Sequence, residues 1–194
     1  MSGEHLGRVY AAKSPQELLQ VYEEWAVHYE RDLVEGMGWD KPAKVGQTLL
    51  PYLSEQARIL DVGAGTGLMG DFLHRHGQSN LSALDFSPEM LQQAKKRGVY
   101  RYFYQHNLLE PVPLEKNHYD AITAVGILTE GHLGPEILPT LKTLLKPNGL
   151  LAFSLRDDLE HLYQEALQDW RLETQQRFSD GLEARPWSAW VYRA

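Results

Sequence analysis

A short apolar run that leads into a cluster of glycines constrains the fold of this chain more than any other feature. Residues 58–62 read Arg-Ile-Leu-Asp-Val, and Gly63, Gly65 and Gly67 follow directly. A short apolar run of this kind predicts a buried strand of a parallel sheet. The glycines predict a sharp turn from that strand into a helix, where bare backbone can lie against a ligand.

The rest of the chain alternates between apolar runs and helix signals. Further parallel strands are predicted at residues 81–85, 100–105, 119–125 and 150–155. Helices are predicted at residues 14–33, 42–53, 68–76, 88–97, 139–145 and 157–170. Residues 171–178 and 187–192 predict a closing antiparallel pair. This alternation predicts βαβ units in an α/β fold, with a mostly parallel sheet and helices on both of its faces.

Composition narrows the class of protein further. The 194 residues include no cysteine, which excludes disulfides, thiolate metal sites and cysteine nucleophiles. The net charge of −7 argues against broad binding of nucleic acid. We expect one domain, and the sequence shows neither a secretory signal nor an apolar stretch long enough to span a bilayer. These features favour a cytoplasmic protein that acts away from membranes and nucleic acid.

A carboxylate at the end of the second strand adds to the evidence that the glycine loop binds a ligand. Asp85 lies 18 residues beyond Gly67, and a carboxylate there can accept hydrogen bonds from both hydroxyls of a ribose. The spacing of Gly65, Gly67 and Gly70 also matches a dinucleotide fingerprint. However, Asp61 just before the loop would repel a pyrophosphate at the following helix. The pattern favours a cationic nucleoside, and S-adenosylmethionine carries an ammonium and a sulfonium but no phosphate.

Several segments of the chain resemble the class I S-adenosylmethionine-dependent methyltransferases. The resemblance covers residues 25–155 and is carried by residues 61–67, 84–91, 119–122 and 144–150. It implies a Rossmann-like core over residues 54–194, with a seven-stranded sheet whose antiparallel strand is C-terminal. It also implies that residues 1–53 form an N-terminal helical lid over the cofactor. The lead-in Trp25-Ala26-x-x-Tyr29 is similar to the Williams–Beuren region methyltransferase-like subfamily.

The resemblance also implies a role for individual residues. Asp61 would hold the methionine ammonium, directly or through water, and Asp85 would hold the ribose hydroxyls. Phe86 and Met90 would lie beside the adenine, and Asn107 would accept from its amino group. The complete implied cofactor set is Trp25, Tyr29, Asp61, Gly63, Ala64, Gly65, Gly67, Asp85, Phe86, Met90, Asn107, Leu108 and Val125.

Methyl transfer to a small-molecule acceptor is the function that these residues favour. The reaction is an in-line displacement that needs a base only if the acceptor arrives protonated. Candidates for that base, or for positioning the acceptor, are His28, Tyr29, Glu130 and His132. Histidines near the expected cleft, including His106, are more typical of surface or satisfied positions. No His-x-x-x-His pair occurs, so we expect no metal.

Other functions stay open at the level of sequence. The segment after the fourth strand, residues 125–128, lacks the Asn-Pro-Pro-Tyr motif of enzymes that methylate nucleobase or glutamine amides. A nicotinamide-dependent oxidoreductase would favour a Tyr-x-x-x-Lys pair, which residues 119–135 lack. A non-catalytic module that binds the cofactor for a partner protein would carry the same loop. The atom that accepts the methyl group and the oligomeric state are not determined.

Overall fold

A seven-stranded sheet forms the centre of the molecule in the computed structural model, which describes residues 2–36, 38–129, 133–179 and 185–194. The strands are β1 (Arg58–Val62), β2 (Asn80–Asp85), β3 (Tyr102–Gln105), β4 (Tyr119–Ala124), β5 (Leu145–Arg156), β6 (Arg171–Ser179) and β7 (Pro186–Arg193). Their order across the sheet is β3-β2-β1-β4-β5-β7-β6. Strands β1 to β5 pair in parallel, and β7 runs antiparallel to both β5 and β6. The predicted fold class is confirmed.

Helices cover both faces of this sheet. They are α1 (Ser2–Ala11), α2 (Pro15–Trp25), α3 (Lys41–Leu49), α4 (Leu68–Arg75), α5 (Pro88–Lys96), α6 (Leu138–Leu144) and α7 (Glu160–Tyr163). A π-helical turn spans Arg31–Glu35, and 3₁₀ turns span Leu50–Tyr52, Pro135–Ile137 and Asp157–Leu159. Apolar side chains of α3, α4 and α5 pack on one face, and those of α6 and α7 pack on the other. Successive residues of β1 alternate between these two layers, since Ile59 joins the first and Leu60 the second.

The register of the central strands brings their carboxyl ends together. Val62 at the end of β1 lies opposite Leu84 of β2 and Ala124 of β4. The loops that follow these three strands therefore leave the sheet at one edge. Ligands of open parallel sheets bind in this position.

Ser14 and Ser87 cap the starts of helices α2 and α5. The Ser14 hydroxyl accepts a hydrogen bond from the Glu17 amide at 3.2 Å, and the Ser87 hydroxyl accepts one from the Met90 amide at 3.2 Å. Each cap satisfies an amide that the first turn of a helix leaves without a partner. The second cap lies two residues beyond the end of β2 and fixes the start of α5 at Pro88.

The predicted helix over residues 14–33 is wrong in its second half. Helix α2 ends at Trp25, and the Trp25 indole then donates a hydrogen bond to the Asp32 carboxylate at 3.1 Å. Seven residues of regular helix would separate these positions by about 10.5 Å along the axis. The break and the π-helical turn at Arg31–Glu35 bring the two side chains within reach of each other.

Two other segments depart from the sequence predictions. The helix predicted over residues 157–170 is shorter, because the chain turns after Tyr163 to bury Trp170 in the core before β6 begins. Strand β5 begins at Leu145 instead of the predicted residue 150, and within it Asn148 adopts a φ of 64° and the pairing with β4 shifts register. Asparagine tolerates this left-handed conformation better than most residues. Helix α1 was not predicted from the sequence.

Candidate functional site

A cavity of about 380 Å³ opens at the carboxyl ends of the parallel strands. Its floor includes Gly63 and Gly65 of the glycine loop, and its wall includes Asp85 at the end of β2. Gly63 and Gly65 have φ values of 65° and 53°. Side chains are strained in this region, so glycine is the residue that permits the turn. The loop therefore offers bare backbone to whatever occupies the cavity.

Asp85 ties the glycine loop to the end of β2. Its carboxylate accepts hydrogen bonds from the Gly65 amide at 2.7 Å and from the Ser87 amide at 2.9 Å. Burial raises the pKa of Asp85, and the backbone amides of Ser87, Gly65 and Phe86 oppose that rise. A carboxylate has about four lone-pair sites, so acceptor capacity is left for ligand hydroxyls. Asp85 is thus suited to bind a ribose while it holds the loop in shape.

Asp61 lies deeper, at the end of β1. Its side chain accepts hydrogen bonds from the Tyr100 hydroxyl at 2.5 Å and from the Thr123 hydroxyl at 2.8 Å. Burial raises the pKa of Asp61 to about 6, and the negative charge of Asp85 adds to the rise, whereas both hydroxyls oppose it. An acid that is buried and lies near a second carboxylate is suited to interact with a cation.

A second cavity of about 30 Å³ adjoins the first. Asp61, Ala64 and Trp39 line the small cavity, whereas Tyr29, Gly63, Gly65 and Val125 line both. The shared residues place Asp61 directly behind the glycine loop. A small cationic group could therefore approach Asp61 from the large cavity.

Most of the predicted cofactor residues lie around these two cavities. Besides Gly63, Gly65 and Asp85, the large cavity is lined by Tyr29, Phe86, Met90, Asn107, Leu108 and Val125. The Asn107 side chain already accepts a hydrogen bond from the Leu109 amide at 3.1 Å, which closes a local turn. Its amide oxygen has a second lone pair for a ligand donor.

Two of the predicted cofactor residues line neither cavity. Gly67 has a φ of 89° and precedes α4, and a methyl group on it would meet Arg97 and Tyr100 side-chain atoms at 3.0 Å. Trp25 is buried behind Tyr29, with ring centroids 4.8 Å apart. Both residues support the wall of the site from behind.

The four candidates for a base occupy different places. Tyr29 lines both cavities, whereas His28 is exposed and lines neither. Glu130 and His132 lie outside the described residues. Tyr29 is therefore the candidate that the geometry brings to the site, and the roles of all four stay predictions.

The sequence analysis expected a lid from residues 1–53 but did not name most of the residues that form one wall of the large cavity. The junction between α1 and α2 supplies Ala12, Lys13, Ser14 and Pro15, and α2 adds Leu18, Leu19 and Tyr22. These residues carry no motif, and their helical pattern predicts only an apolar face. The arrangement of α2 across the strand ends is a tertiary feature that periodicity does not report.

His106 is a second residue whose setting differs from the expectation. It directly follows β3, its amide donates to the Asp85 carbonyl oxygen at 3.0 Å, and the residue lines the large cavity. The Nε2 atom is shielded from solvent and has no hydrogen-bond partner among the residues that the structure describes. A buried imidazole nitrogen without a partner is costly unless a ligand pairs with it. The sequence feature that could have indicated His106 as a site residue is its position at the end of β3.

The described part of the chain shows no group of three or more His, Asp or Glu residues that could hold a metal ion. None of its helices combines the length and the apolar character needed to cross a membrane.

Comparison with known proteins identifies the family of this chain. Residues 59–149 match the model of a methyltransferase domain, a range that begins in β1 and ends in β5. The human methyltransferase-like protein 27 is 35% identical over 169 residues, which cover 83% of this chain and 68% of the relative. The chain belongs to the class I S-adenosylmethionine-dependent methyltransferases. Its cofactor is S-adenosylmethionine, and the two carboxylates and the bare loop fit that cationic nucleoside.

Bacterial relatives match a shorter part of this methyltransferase. A ubiquinone biosynthesis O-methyltransferase of Xylella fastidiosa is 32% identical over 117 residues, covering 54% of the chain and 46% of the relative. The chain thus spans about two thirds of the human relative and under half of the bacterial one.

Solved structures support the fold of the methyltransferase. An S-adenosylmethionine-dependent methyltransferase from Leishmania major superposes with a TM-score of 0.69 at 17% identity, covering 96% of this chain and 88% of that one. An S-adenosylmethionine-dependent methyltransferase from Mesorhizobium loti gives a TM-score of 0.60 at 17% identity, and the match covers 76% of this chain and 96% of that one. A [4+2]-cyclase also shares the fold, with a TM-score of 0.63 at 14% identity, and the match covers 78% of this chain and 80% of the cyclase. The fold alone therefore does not specify the reaction.

Proposed function

We propose that this methyltransferase transfers the methyl group of S-adenosylmethionine to a small-molecule acceptor within the large cavity. The observation that carries the proposal is the lining of that cavity, which includes both the glycine loop and the α1–α2 junction. Gly63, Gly65 and Asp85 line it together with Pro15 and Leu18. Cofactor and acceptor can therefore occupy one continuous space.

The side chains that line the rest of the large cavity indicate the character of the acceptor. Most of them are apolar, and they include Pro15, Leu18, Leu19, Leu109, Ile127 and Leu133. Apolar walls bind apolar surface and leave few groups to recognise a charged polymer. We infer an acceptor with an apolar body that enters beside α2.

The cofactor supplies an activated methyl carbon, because its sulfonium makes the thioether a good leaving group. The protein then has to bind both reactants and align them. We assign Asp85 to the ribose hydroxyls, Asp61 to the ammonium group, and Met90 to one face of the adenine. Alignment of two bound reactants can lower a barrier by about 7–11 kcal/mol. Such a site does not require a metal or a covalent intermediate.

Tyr29 is our candidate for orienting the acceptor. It lies at the boundary of the two cavities and packs on Trp25 and Trp39 with centroids 4.8 and 6.3 Å away. Rings packed in this way hold their orientation, so the Tyr29 hydroxyl occupies a defined position. We further propose that residues 1–53 act as a lid over the core of residues 54–194 in a single domain.

The cofactor site is tested by isothermal titration with S-adenosylmethionine. We expect Asp85→Ala to weaken binding by about 100-fold or more, because two charge-assisted hydrogen bonds to the ribose are lost. Asp169→Ala is the control, since Asp169 is exposed. Equal affinity of Asp85→Ala and wild type would remove the assignment of Asp85.

The acceptor is sought with a methyl-labelled cofactor and a panel of small molecules. The panel begins with acceptors that carry a hydroxyl or a carboxyl group, because the Xylella relative and a malonyl-[acyl-carrier protein] relative are both named O-methyltransferases. We expect transfer to an apolar acceptor. Labelling of RNA or protein instead would overturn the small-molecule assignment, and cofactor binding without transfer to any acceptor would favour the non-catalytic module.

A further inference from the structure

The hydroxyl of Tyr100 connects the first turn of α4 to the buried acid at the end of β1. This hydroxyl donates to the Asp61 carboxylate at 2.5 Å and accepts from the Gly70 amide at 3.0 Å. A methyl group on Gly70 would overlap the Tyr100 ring. Tyr100 is 7% exposed, and its neighbours from chain-distant elements therefore hold it in place. The third glycine of the apparent dinucleotide spacing thus makes room for this tyrosine.

The second oxygen of Asp61 is held in the same way. The Thr123 hydroxyl of β4 donates to it at 2.8 Å, so both carboxylate oxygens accept a hydrogen bond from a buried side chain. Donors to a carboxylate stabilise its ionised form, whereas burial destabilises it. The two hydroxyls offset part of the cost of keeping this charge out of water.

We propose that Tyr100 and Thr123 are positioning residues that hold the Asp61 carboxylate ionised and aligned for the ammonium group of the cofactor, so that cofactor affinity depends on pH through this cluster. The proposal rests on the role of Asp61 in the proposed function. It adds two residues that do not touch the cofactor themselves and that act through Asp61.

The charged and titratable groups around Asp61 are few among the described residues. Asp85 of β2 raises the pKa of Asp61, and the pKa of Tyr100 is raised well above its ordinary value, first by burial and then by Asp61. Arg97 after α5 lowers the pKa of Tyr100, and Tyr29 faces the small cavity from the N-terminal region. Tyr100 therefore stays a proton donor at neutral pH, whereas burial raises the pKa of both Asp61 and Asp85.

The sign of the pH effect follows from the raised pKa of Asp61, which is about 6 in the folded protein and ordinarily 3.8. Without ligand, the folded protein holds this proton more tightly than the unfolded chain, so stability is lost as pH rises through about 6. A cationic ligand reverses the preference, because it binds the ionised carboxylate. Cofactor affinity should therefore rise with pH through the same range and then level off.

The test is the affinity for S-adenosylhomocysteine, which keeps the ammonium group, measured by isothermal titration from about pH 5 to about pH 8. The variants are Tyr100→Phe and Thr123→Val, which remove one donor each and keep the shape. We expect each to move the midpoint of the affinity curve upward by about one pH unit, because Asp61 loses one stabilising hydrogen bond. Tyr52→Phe is the matched control, since Tyr52 packs against the same core as Tyr100.

A purely structural role would lower affinity equally at every pH, so the midpoint separates the two explanations. Unchanged midpoints in both Tyr100→Phe and Thr123→Val would overturn the inference. If Tyr100→Phe fails to melt cooperatively, Thr123→Val decides the question alone. Asp61→Asn should abolish the pH step; if it keeps the wild-type curve, the assignment of Asp61 in the proposed function fails instead.

Discussion

The sheet core and the N-terminal region differ in how they are held together. In the core, Ile59, Leu60 and Val62 of β1 are fully buried, and β1 pairs with neighbours on both sides. The N-terminal region, α1 through the π-helical turn, has its own small cluster of Val9, Val21, Trp25 and Leu33. The core thus draws on long-range pairing, whereas the N-terminal region draws on a few aromatic contacts.

The two regions also contribute different parts of the site. Asp61, Asp85 and the glycine loop belong to the core, and the wall at Pro15 and Leu18 belongs to the N-terminal region. Regions with small cores open locally at lower free energy than the rest of a protein. We infer that the cofactor side is rigid and that the acceptor side opens and closes over it.

The largest effect is expected from a cavity in the core. Ile122 of β4 is 0% exposed and packs in the layer that contains Leu60. Ile122→Ala should lower the free energy of unfolding by about 2–5 kcal/mol, through lost burial and the residual cavity. Urea denaturation measures it. Val21→Ala, in the small cluster, is the comparison and should lower the free energy of unfolding by less. An equal loss in both variants would contradict the difference in stability between the two regions.

A smaller and local effect is expected from Trp25→Phe. The change keeps a ring in the cluster but removes the hydrogen bond to Asp32 that closes the break after α2. Amide exchange should become about fivefold faster within residues 2–36, since one buried hydrogen bond is lost. Strands β1 and β4 should keep wild-type exchange. Faster exchange across the whole sheet would show that the N-terminal region unfolds with the core.

The smallest effect is expected from the ion pair that joins the two regions. Glu30 pairs with Arg97 at 2.6 Å, and Arg97 also donates to the Thr66 carbonyl oxygen in the glycine loop at 2.7 Å. Glu30→Gln should weaken cofactor binding by about threefold at low salt and less at high salt, as for other partly exposed pairs. Glu24→Gln is the control, because its pair with Arg8 stays within the N-terminal region at 2.7 Å. Equal effects would show that the Arg97 contact does not hold the regions together.

Most of the strands and helices could be predicted from local sequence patterns. The features that could not be predicted depend on tertiary contacts. The apolar run at Arg58–Val62 and the cap at Ser87 are short-range signals, so strand and helix positions followed from them. The pairing of Asp61 with Tyr100 joins residues 39 positions apart, and no periodicity encodes it. The end of α2 at Trp25 likewise depends on a hydrogen bond that forms only after the chain has folded back.

Strand β7 follows β6 in the sequence and yet lies between β6 and β5 in the sheet. During synthesis, β6 therefore leaves the ribosome before β7, the described strand with which it pairs. Many side chains of β6 are charged or polar, including Arg171, Glu173 and Arg177, and they keep the unpaired strand from aggregating. The last strand must then insert into a gap, so the order of synthesis delays the completion of this sheet edge until residue 193 has emerged.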